Sequence, residues 1–309
     1  METRTLGVAT TSRHRRRQRR RAVTFALGAL VILSGLSVLT GVAPSRATTT
    51  SRHSGSVDVL YAGSLLDLMQ QQLFPAFHRA TGYSVNAIAN GSKALASEIE
   101  GGTEVGDVFI SASPAIDVAL HRASNGAWVS SFDEFATSSL VLGYNPRSKF
   151  AVALTTQPWY NVVSRPGFEL GRTDPATDPK GVLARDALTE IGAKLHRPTL
   201  SALAKSTSNI FAETSMIGEL QSGQLDAGFF YAVEASAAHL TTVPLVGVHL
   251  AGTYTVALLK NAPHPGAASA FVQFLLSAGG RRILQSNGLT PLRPPKVVRW
   301  SSSVSTTQG

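Results

Sequence analysis

The sequence predicts an α/β fold with an open, mostly parallel sheet. Apolar residues alternate over 57–61, the pattern of a buried strand, and Leu65, Leu68 and Leu73 then follow at helical spacing. The same change from strand to helix recurs at 84–100 and at 107–120. Repeated strand–helix units place their strands side by side in parallel, and such sheets bind ligands at the carboxyl ends of the strands.

Two of these units carry a Gly-Ser pair where the strand ends and the helix begins. Ser64 follows Gly63, and Ser92 follows Gly91. Serine at such a junction is a good N-cap, and the free N–H groups and positive dipole of a helix N-terminus attract anions. Capping alone explains a single junction. Two junctions this close in the sequence indicate one anion held between two helix N-termini.

Positive charge is concentrated at the start of the chain. Residues 1–47 contain nine of the 28 Lys and Arg residues and one of the 19 acidic residues, which gives a net charge of +8 out of a total of +9. The remainder is close to neutral, so the main argument for nucleic-acid binding is lost. At 309 residues the chain can bury a substantial core, as one large domain or as two lobes.

The first 47 residues have the layout of a bacterial secretion signal. Arginines up to Arg21 precede an apolar run over 22–42, and small residues end at Ala47, where cleavage is expected. Because a run of 21 largely apolar residues also spans a bilayer, an uncleaved membrane anchor is the alternative. The absence of cysteine excludes disulfides, thiolate metal sites and a cysteine-linked lipid anchor. Residues 48–56 are polar and are interpreted as a linker.

Beyond the first three units the pattern is more varied. The sequence predicts strands at 139–145, 226–232, 243–250 and 253–259, helices at 182–195, 214–221, 267–276 and 279–285, a polar turn over 170–181, and C-cap glycines at Gly82 and Gly223. Residues 295–309 are predicted to form a flexible tail.

The sequence shows no arrangement typical of a hydrolase or a zinc site. Neither Gly-Ser pair has the Gly-x-Ser-x-Gly layout of a nucleophile elbow, and the eight histidines include no His-x-x-His pair. Asp174 and Asp178 lie in one turn and are either paired carboxylates or aspartates that bond local backbone. Tyr231, near the end of a predicted strand, is either a functional phenol or a core aromatic.

Six short segments in a fixed order carry the strongest signal in the sequence. They are Tyr-Ala-Gly-Ser-Leu at 61–65, Asn-Gly-Ser at 90–92, Gly-Asp-Val-Phe-Ile-Ser-Ala at 106–112, Leu-Val-Leu-Gly-Tyr-Asn at 140–145, the turn at 174–181, and Gly-Gln-Leu-Asp-Ala-Gly-Phe-Phe-Tyr at 223–231. Together they resemble the blocks of molybdate/tungstate-binding proteins of ABC transporters, over about 57–291. The resemblance implies a two-lobed periplasmic-binding-protein-like fold with an oxyanion in the cleft between the lobes.

The resemblance also implies which residues bind the anion. Ser64 and Ser92 match two hydroxyl donors, and Tyr231 matches a phenolic donor. Lys180 and Glu213 match positions near which backbone N–H groups reach the anion. Neutral donors of this kind select an oxyanion by its size and protonation state instead of its charge alone.

One position departs from the archaeal members that this sequence resembles. In those proteins two carboxylates expand the metal to six oxygen ligands. Asp178 matches one carboxylate, but Phe230 stands at the position of the other. We therefore expect a tetrahedral anion, with Asp178 turned away to cap the turn at Pro179 or to bond nearby backbone.

The predicted function is an exported binding protein that captures molybdate or tungstate and delivers it to an ABC-transporter permease. We expect no enzymatic activity, no cofactor, no nucleic-acid partner and a monomer on the extracellular side of the membrane. Lobe 1 is predicted at 57–138 plus 243–294, and lobe 2 at 139–242. The alternatives are a sulfate or other oxyanion binder, a membrane-tethered sensor, and an exported hydrolase that uses Ser64 or the Asp174/Asp178 pair.

Overall fold

The computed structural model describes residues 54–124 and 126–300. The predicted leader over 1–47, its apolar run at 22–42, most of the linker and residues 301–309 lie outside these ranges. Within the described residues, no helix has both the length and the apolar character needed to cross a membrane.

The described part of the chain contains ten strands. They are β1 Ser56–Ala62, β2 Ser84–Asn90, β3 Val108–Ser111, β4 Ser131–Tyr144, β5 Leu170–Thr173, β6 Ile210–Phe211, β7 Ala227–Tyr231, β8 Thr241–Pro244, β9 Ala251–Leu258 and β10 Thr290–Arg299.

Helices follow most of the strands and cover the sheet. They are α1 Leu66–Leu68, α2 Phe74–Thr81, α3 Ser92–Gly101, α4 Pro114–Arg122, α5 Ala151–Thr156, α6 Trp159–Val162, α7 Pro179–Lys194, α8 Pro198–Lys205, α9 Met216–Ser222, α10 Ala232–Ala237, α11 Pro265–Leu276 and α12 Ala278–Ser286.

The strand order is β2-β1-β3-β9-β4-β7-β5-β6, with β8 and β10 also paired to β4. The expectation of a mostly parallel sheet is wrong, because the sheet is mixed. Parallel pairs join β1 to β2 and β3, and β5 to β6 and β7, whereas β4 and β9 run antiparallel to their neighbours. The parallel units near the chain start were recognisable from local periodicity, but the antiparallel pairs join distant segments.

Strand β4 changes partners along its length. Its first part, up to Ser139, pairs with β9 and β10, and its last part, from Leu140, pairs with β7 and β8. This change lies at the predicted start of lobe 2, although the division into two lobes itself stays a prediction. The sequence located only the last part of β4.

The chain returns to pair with the first part of β4 at a later residue than predicted. Val243 and Pro244 lie in β8 and pair with Val141 and Leu142 of the last part of β4. Pairing with the first part of β4 begins at Ala251, in β9. The predicted strand at 243–250 is therefore wrong beyond Pro244, where Leu245 and Val248 are buried in a turn, and the lobe boundary at 243 stays a prediction.

Residues 295–300 are ordered, which corrects that part of the tail predicted at 295–309. Residues 295–299 belong to β10, which pairs with β4, and Lys296 forms an ion pair with Glu134 at 2.7 Å. The Trp300 ring stacks on His121 with 3.7 Å between ring centroids. Polar sequence suggested a tail, but a polar strand is stable where a long neighbour supplies its hydrogen bonds.

Local signals predicted helix boundaries well. Gly82 and Gly223 end α2 and α9 with φ of 87° and 88°, the left-handed conformation expected of C-cap glycines. The helix that starts after β1 contains a π turn at Met69–Leu73, which ends two residues before Pro75. Proline lacks the N–H that an α-helix needs at this point, so the wider turn accommodates it. Strand β5 was not predicted, because its residues Leu170–Thr173 were interpreted as part of the polar turn over 170–181.

Asp107 fastens the start of the sheet to the segment before α11. Its Oδ2 accepts the Asp58 N–H at 2.7 Å, and its Oδ1 accepts the His264 N–H at 2.6 Å. The ligand atoms of the three side chains lie within 4.8 Å of one another, close enough for a metal ion. Because backbone N–H groups already bind both Asp107 oxygens, the arrangement is explained as a structural clasp.

Asp117 is a buried acid between α4 and β9. Thr255 Oγ1 donates to its Oδ2 at 2.6 Å, and among the described residues its Oδ1 has no partner. Burial raises the pKa of Asp117 to about 7, although the Thr255 hydrogen bond acts in the opposite direction. The folded protein therefore keeps this proton at mildly acidic pH.

The raised pKa of Asp117 predicts that the free energy of unfolding falls as the pH rises. The pKa of about 7 in the folded protein lies above the ordinary 3.8, so the stabilisation from the bound proton is complete below the lower value and is lost as the pH rises through the higher one. At about 1.4 kcal/mol per pKa unit, the change is on the order of 4 kcal/mol. Asp117→Asn mimics the protonated acid and should flatten this slope in urea unfolding measured across the range. The exposed control Asp186→Asn should keep the wild-type slope; an unchanged slope in Asp117→Asn contradicts the assignment.

Candidate functional site

Ser64 and Ser92 follow the carboxyl ends of two neighbouring parallel strands. Ala62, the last residue of β1, pairs with Asn90, the last residue of β2. Each serine stands two residues further on, and both are buried. The sheet therefore places the two predicted hydroxyl donors on the same edge.

Ser64 does not cap its helix. The N-cap position is Ala62, and Ser64 lies inside the 3-10 turn Gly63–Leu65, with no capping hydrogen bond from its side chain. Its Oγ lies 2.9 Å from the hydroxyl of Tyr254, a residue of β9 that the sequence did not single out. The expectation that Ser64 is the N-cap is therefore wrong, because the helix begins at Gly63 and its N-cap is Ala62.

Ser92 is the first residue of α3, and its N-cap is Gly91. Its Oγ accepts the Ala112 N–H at 3.1 Å and so keeps its own proton for another acceptor. The first N–H groups of α3, from Lys93 and Ala94, donate to Thr177 O at 3.1 and 3.2 Å. A protein carbonyl therefore occupies this helix N-terminus, and the Ser92 hydroxyl remains available there.

The start of α7 brings Asp178 and Lys180 to the same place. Asp178 is the N-cap of α7, and its Oδ1 accepts the Lys180 N–H at 2.9 Å. The expected turning of Asp178 toward local backbone is confirmed for this oxygen. The Lys180 N–H is therefore bound within the protein, whereas donation to an anion by other backbone N–H groups near Lys180 stays a prediction. Asp178 Oδ2 is buried without a partner among the described residues.

The Lys180 side chain has a role that the sequence did not suggest. It is fully buried, and its Nζ lies 3.0 Å from Glu213 Oε1 and 2.6 Å from Glu234 Oε1. The same Glu234 oxygen accepts the Tyr231 N–H at 2.8 Å. One ammonium group thus joins the start of α7, the turn before α9 and the end of β7.

Glu213 lies in the turn before α9, as predicted, and packs against the Gly-Ser junction of β1. A Cβ on Gly63 would lie 2.4 Å from Glu213 Cγ, so this position accepts no larger residue without rearrangement. Gly91 is similarly confined, since a Cβ there would lie 2.6 Å from Thr177 O. The two glycines permit the close approach of the segments that carry the other site residues.

Tyr231 is fully buried at the end of β7, and its hydroxyl has no hydrogen-bond partner among the described residues. Its ring meets the Tyr254 ring edge to face, with 5.8 Å between centroids. Burial raises the pKa of Tyr231 well above its ordinary value, and neighbouring Tyr254 and the Asp178 carboxylate raise it further. Tyr231 is therefore a neutral donor without an acceptor in the described protein.

The six predicted residues are all buried, on segments that contact one another, and with two further residues we call them the hydroxyl–carboxylate cluster. It comprises Ser64, Ser92, Asp178, Lys180, Glu213 and Tyr231, together with Glu234 and Tyr254.

Sequence reasoning missed the last two members for different reasons. Glu234 lies in α10, a short helix that was not predicted, three residues after Tyr231. Tyr254 lies on a predicted strand, but only its contact with Ser64 sets it apart from a core aromatic.

A cavity of about 590 Å³ adjoins this cluster, lined by parts of α3, α4, α7 and β9. Its lining includes Ala112, whose N–H binds Ser92. It also includes Gly252, where a Cβ would lie 2.7 Å from the Tyr231 ring. Ala112 thus lies between the cavity and Ser92, and Gly252 lies between the cavity and Tyr231.

Residues 57–290 match the family described as bacterial extracellular solute-binding proteins. The chain belongs to this family. The match covers nearly all of the described residues and includes every member of the hydroxyl–carboxylate cluster.

Relatives of this solute-binding protein carry names that refer to molybdenum or tungsten. It is 30% identical over 204 residues to an ABC transporter molybdenum-binding protein of Haloferax volcanii, and 26% identical over 213 residues to the molybdate/tungstate-binding protein WtpA of Pyrococcus abyssi. The matches cover 63% and 52% of this chain, and the chain spans only 63% and 62% of the length of those relatives. The molybdate-binding protein ModA of Mycobacterium tuberculosis is 26% identical over 265 residues, covering 84% of this chain and 94% of ModA.

Solved structures establish the fold as that of periplasmic binding proteins. The periplasmic molybdate-binding protein of Azotobacter vinelandii has a TM-score of 0.62 at 19% identity, covering 76% of this chain and 98% of that one. The sulfate-binding protein SubI of Mycobacterium tuberculosis has a TM-score of 0.58 at 16% identity, covering 78% and 88%.

The charges of this solute-binding protein's cluster do not cancel if every group is ionised. Lys180 is the one cation among its members, whereas Asp178, Glu213 and Glu234 are acids. Burial raises the pKa of Asp178 and of Glu234, in both cases against the lowering effect of Lys180. Burial therefore opposes the ionisation of Asp178 and Glu234, whereas the lysine beside them favours it.

The buried ion pairs predict a large effect of removing the lysine. Lys180→Met leaves Glu213 and Glu234 buried without a counter-charge, and we expect a loss of about 3–5 kcal/mol in the free energy of unfolding. Urea unfolding followed by circular dichroism measures this loss. Lys194→Met, on the exposed side of the same helix, is the control and should change stability little. Equal stability of the two variants would show that the ion pairs contribute nothing.

Proposed function

We propose that this protein captures molybdate or tungstate outside the cell and delivers it to the permease of an ABC transporter. The observation that carries the proposal is the Tyr231 hydroxyl, fully buried beside Tyr254 and without an acceptor among the described residues. A buried donor without a partner costs about 1–3 kcal/mol. An oxyanion oxygen supplies the acceptor and accounts for a phenol at this position.

The hydroxyl groups of Ser64, Ser92 and Tyr231 provide the three donors. Ser92 keeps its proton because its Oγ accepts the Ala112 N–H, Ser64 and Tyr254 share one hydrogen bond, and Tyr231 is unpartnered. Each donor is neutral, so each favours an oxygen that carries negative charge and no proton. A fully deprotonated tetrahedral dianion fits this requirement, whereas hydrogen phosphate has a proton that these donors leave unmatched.

Lys180 does not turn the site into a general anion trap. Its ammonium is bound by Glu213 and Glu234 at 3.0 and 2.6 Å, so its charge is compensated before any ligand arrives. A lysine without such partners would attract all anions of equal charge to the same extent. The compensated lysine instead fixes the positions of the donor-bearing segments.

The cellular setting follows from the family and the predicted leader. The family consists of extracellular proteins, and the leader over 1–47 accounts for export. We propose a monomer without cofactor or catalytic activity, which closes two lobes on its ligand and is then recognised by the permease. The proposed lobes meet where β4 changes partners.

Sulfate is the principal alternative ligand. A structural neighbour of this chain is a sulfate-binding protein, and sulfate is also a tetrahedral dianion without protons at neutral pH. It differs from molybdate by its shorter bonds, so the choice depends on the spacing of the donors. Direct comparison of the two anions in calorimetry decides between them, and binding of neither would favour a sensor of another ligand.

For the hydrolase alternative, the hydrogen-bond partner of the nucleophile Ser64 among the described residues is a phenol and not a base. The partner of Ser64 is Tyr254, whose pKa burial raises well above its ordinary value. A phenol that holds its proton this firmly does not deprotonate a serine. Asp174 and Asp178 do not form a catalytic pair either, because each accepts a local backbone N–H, from Ala176 and Lys180.

The two serines give the first test of this function. Ser64→Ala and Ser92→Ala should each weaken binding of molybdate or tungstate by roughly 1–3 kcal/mol, the range for hydrogen bonds to charged groups. Isothermal calorimetry with molybdate, tungstate, sulfate and phosphate measures the effect. Ser286→Ala, on the exposed side of α12 and outside the lining of the cavity, is the control and should bind as the wild type does. Wild-type affinity in both site variants would remove these residues from the site.

Asp178 gives a test of the coordination. Asparagine can still accept the Lys180 N–H as an N-cap, so Asp178→Asn should leave affinity unchanged or improve it by removing a carboxylate near a dianion. X-ray absorption of the molybdate complex reports the metal–oxygen distances. Additional long distances in the wild type that disappear in Asp178→Asn would mean that Asp178 ligates the metal and that the anion is not tetrahedral.

A further inference from the structure

Tyr254 has the geometry of a second functional phenol. Its hydroxyl lies 2.9 Å from Ser64 Oγ, and it is fully buried in β9 between β3 and β4. Its ring packs against Tyr231 and also against Phe135, at 6.3 Å between centroids. Strand pairing with Ala136 fixes its backbone. The position of its hydroxyl is therefore set by the fold and does not depend on a flexible side chain.

The contact between the Tyr254 and Ser64 hydroxyl groups leaves one of their two protons free for another partner. Two hydroxyl groups joined by one hydrogen bond keep one proton for a further bond. A phenol is more acidic than an aliphatic alcohol and is the better donor, so the bond runs from Tyr254 to Ser64. Ser64 then directs its own proton outward. Hydrogen bonds in a chain polarise one another, so Ser64 donates more strongly than an isolated serine does.

We propose that Tyr254 is a positioning and selectivity residue of the oxyanion site, which acts by donating to Ser64 and holding the Ser64 proton toward the ligand. This inference rests on the proposed capture of an oxyanion and adds a residue to it. Tyr231 donates to the ligand directly, whereas Tyr254 acts through the serine.

The surroundings keep the Tyr254 proton in place. Burial raises the pKa of Tyr254 well above its ordinary value, the Ser64 hydrogen bond lowers it, and the carboxylates of Glu234 and Asp178 raise it again. Tyr231 is the other titratable group in ring contact with it. Tyr254 therefore stays a neutral donor at neutral pH.

The consequence concerns the protonation state of the ligand. A serine with a free hydroxyl can either donate or accept, and so tolerates an anion that carries a proton. With one lone pair occupied by Tyr254, Ser64 is biased toward donation. Tyr254 therefore favours molybdate, which carries no proton at neutral pH, over hydrogen phosphate, whose proton needs an acceptor.

A double-mutant cycle tests the inference. Sodium molybdate and sodium phosphate are titrated calorimetrically into the wild type, Tyr254→Phe, Ser64→Ala and the double variant. Tyr254→Phe should bind molybdate roughly 3- to 10-fold more weakly, the effect of one hydrogen bond, and should prefer molybdate over phosphate less strongly. In the Ser64→Ala background the same change should have no further effect. Tyr144→Phe, a buried tyrosine at the far end of β4, is the control for loss of a phenol elsewhere.

The outcomes separate this inference from the function on which it rests. A wild type that binds neither molybdate, tungstate nor sulfate overturns both. A wild type that binds, with Tyr254→Phe unchanged or with equal losses in both Ser64 backgrounds, overturns only the role of Tyr254. Thermal unfolding without ligand shows whether Tyr254→Phe is folded. If it is not, 3-fluorotyrosine at position 254 provides a more acidic phenol, and affinity that fails to rise contradicts the inference.

Discussion

The buried ammonium of Lys180 is the interaction on which the site depends. It holds Glu213 and Glu234 at hydrogen-bonding distance, and Glu234 in turn holds the Tyr231 N–H. Three segments far apart in the chain are thereby fixed at one point. A buried ion pair is rarely retained for stability alone, since apolar residues of the same volume often stabilise as much. Here it sets the relative positions of Glu213, Glu234 and the Tyr231 backbone, which belong to the proposed ligand site.

The same arrangement reconciles charge with selectivity. The proposed dianion site contains three acids, but burial raises the pKa of Asp178 and of Glu234, and Lys180 supplies a positive charge beside them. Discrimination is then left to the hydroxyl groups, whose protons define where oxygens can lie. The protein thus uses charge for its own architecture and neutral donors for recognition.

Local chemistry could be predicted from the sequence, and long-range contacts could not. Periodicity located β1 and β2, and the Gly-Ser pairs placed Ser64 and Ser92 at one sheet edge, because strand ends and turns are encoded within a few residues. The function of Tyr254 depends on a residue 190 positions away in the chain, and no spacing rule reports such a contact. Strand β10 was missed for the same reason, since its polar sequence is stabilised only by its pairing with β4.

Strand β4 also has a consequence for how the chain folds. Every strand that pairs with it follows it in the sequence, beginning with β7 and ending with Arg299 of β10, which pairs with Ser131. The centre of the sheet therefore cannot be completed until nearly the whole chain has been made. Folding dominated by such distant pairings is slow. While the chain is being made, β4 therefore lacks its strand partners until β7 and the strands after it have followed.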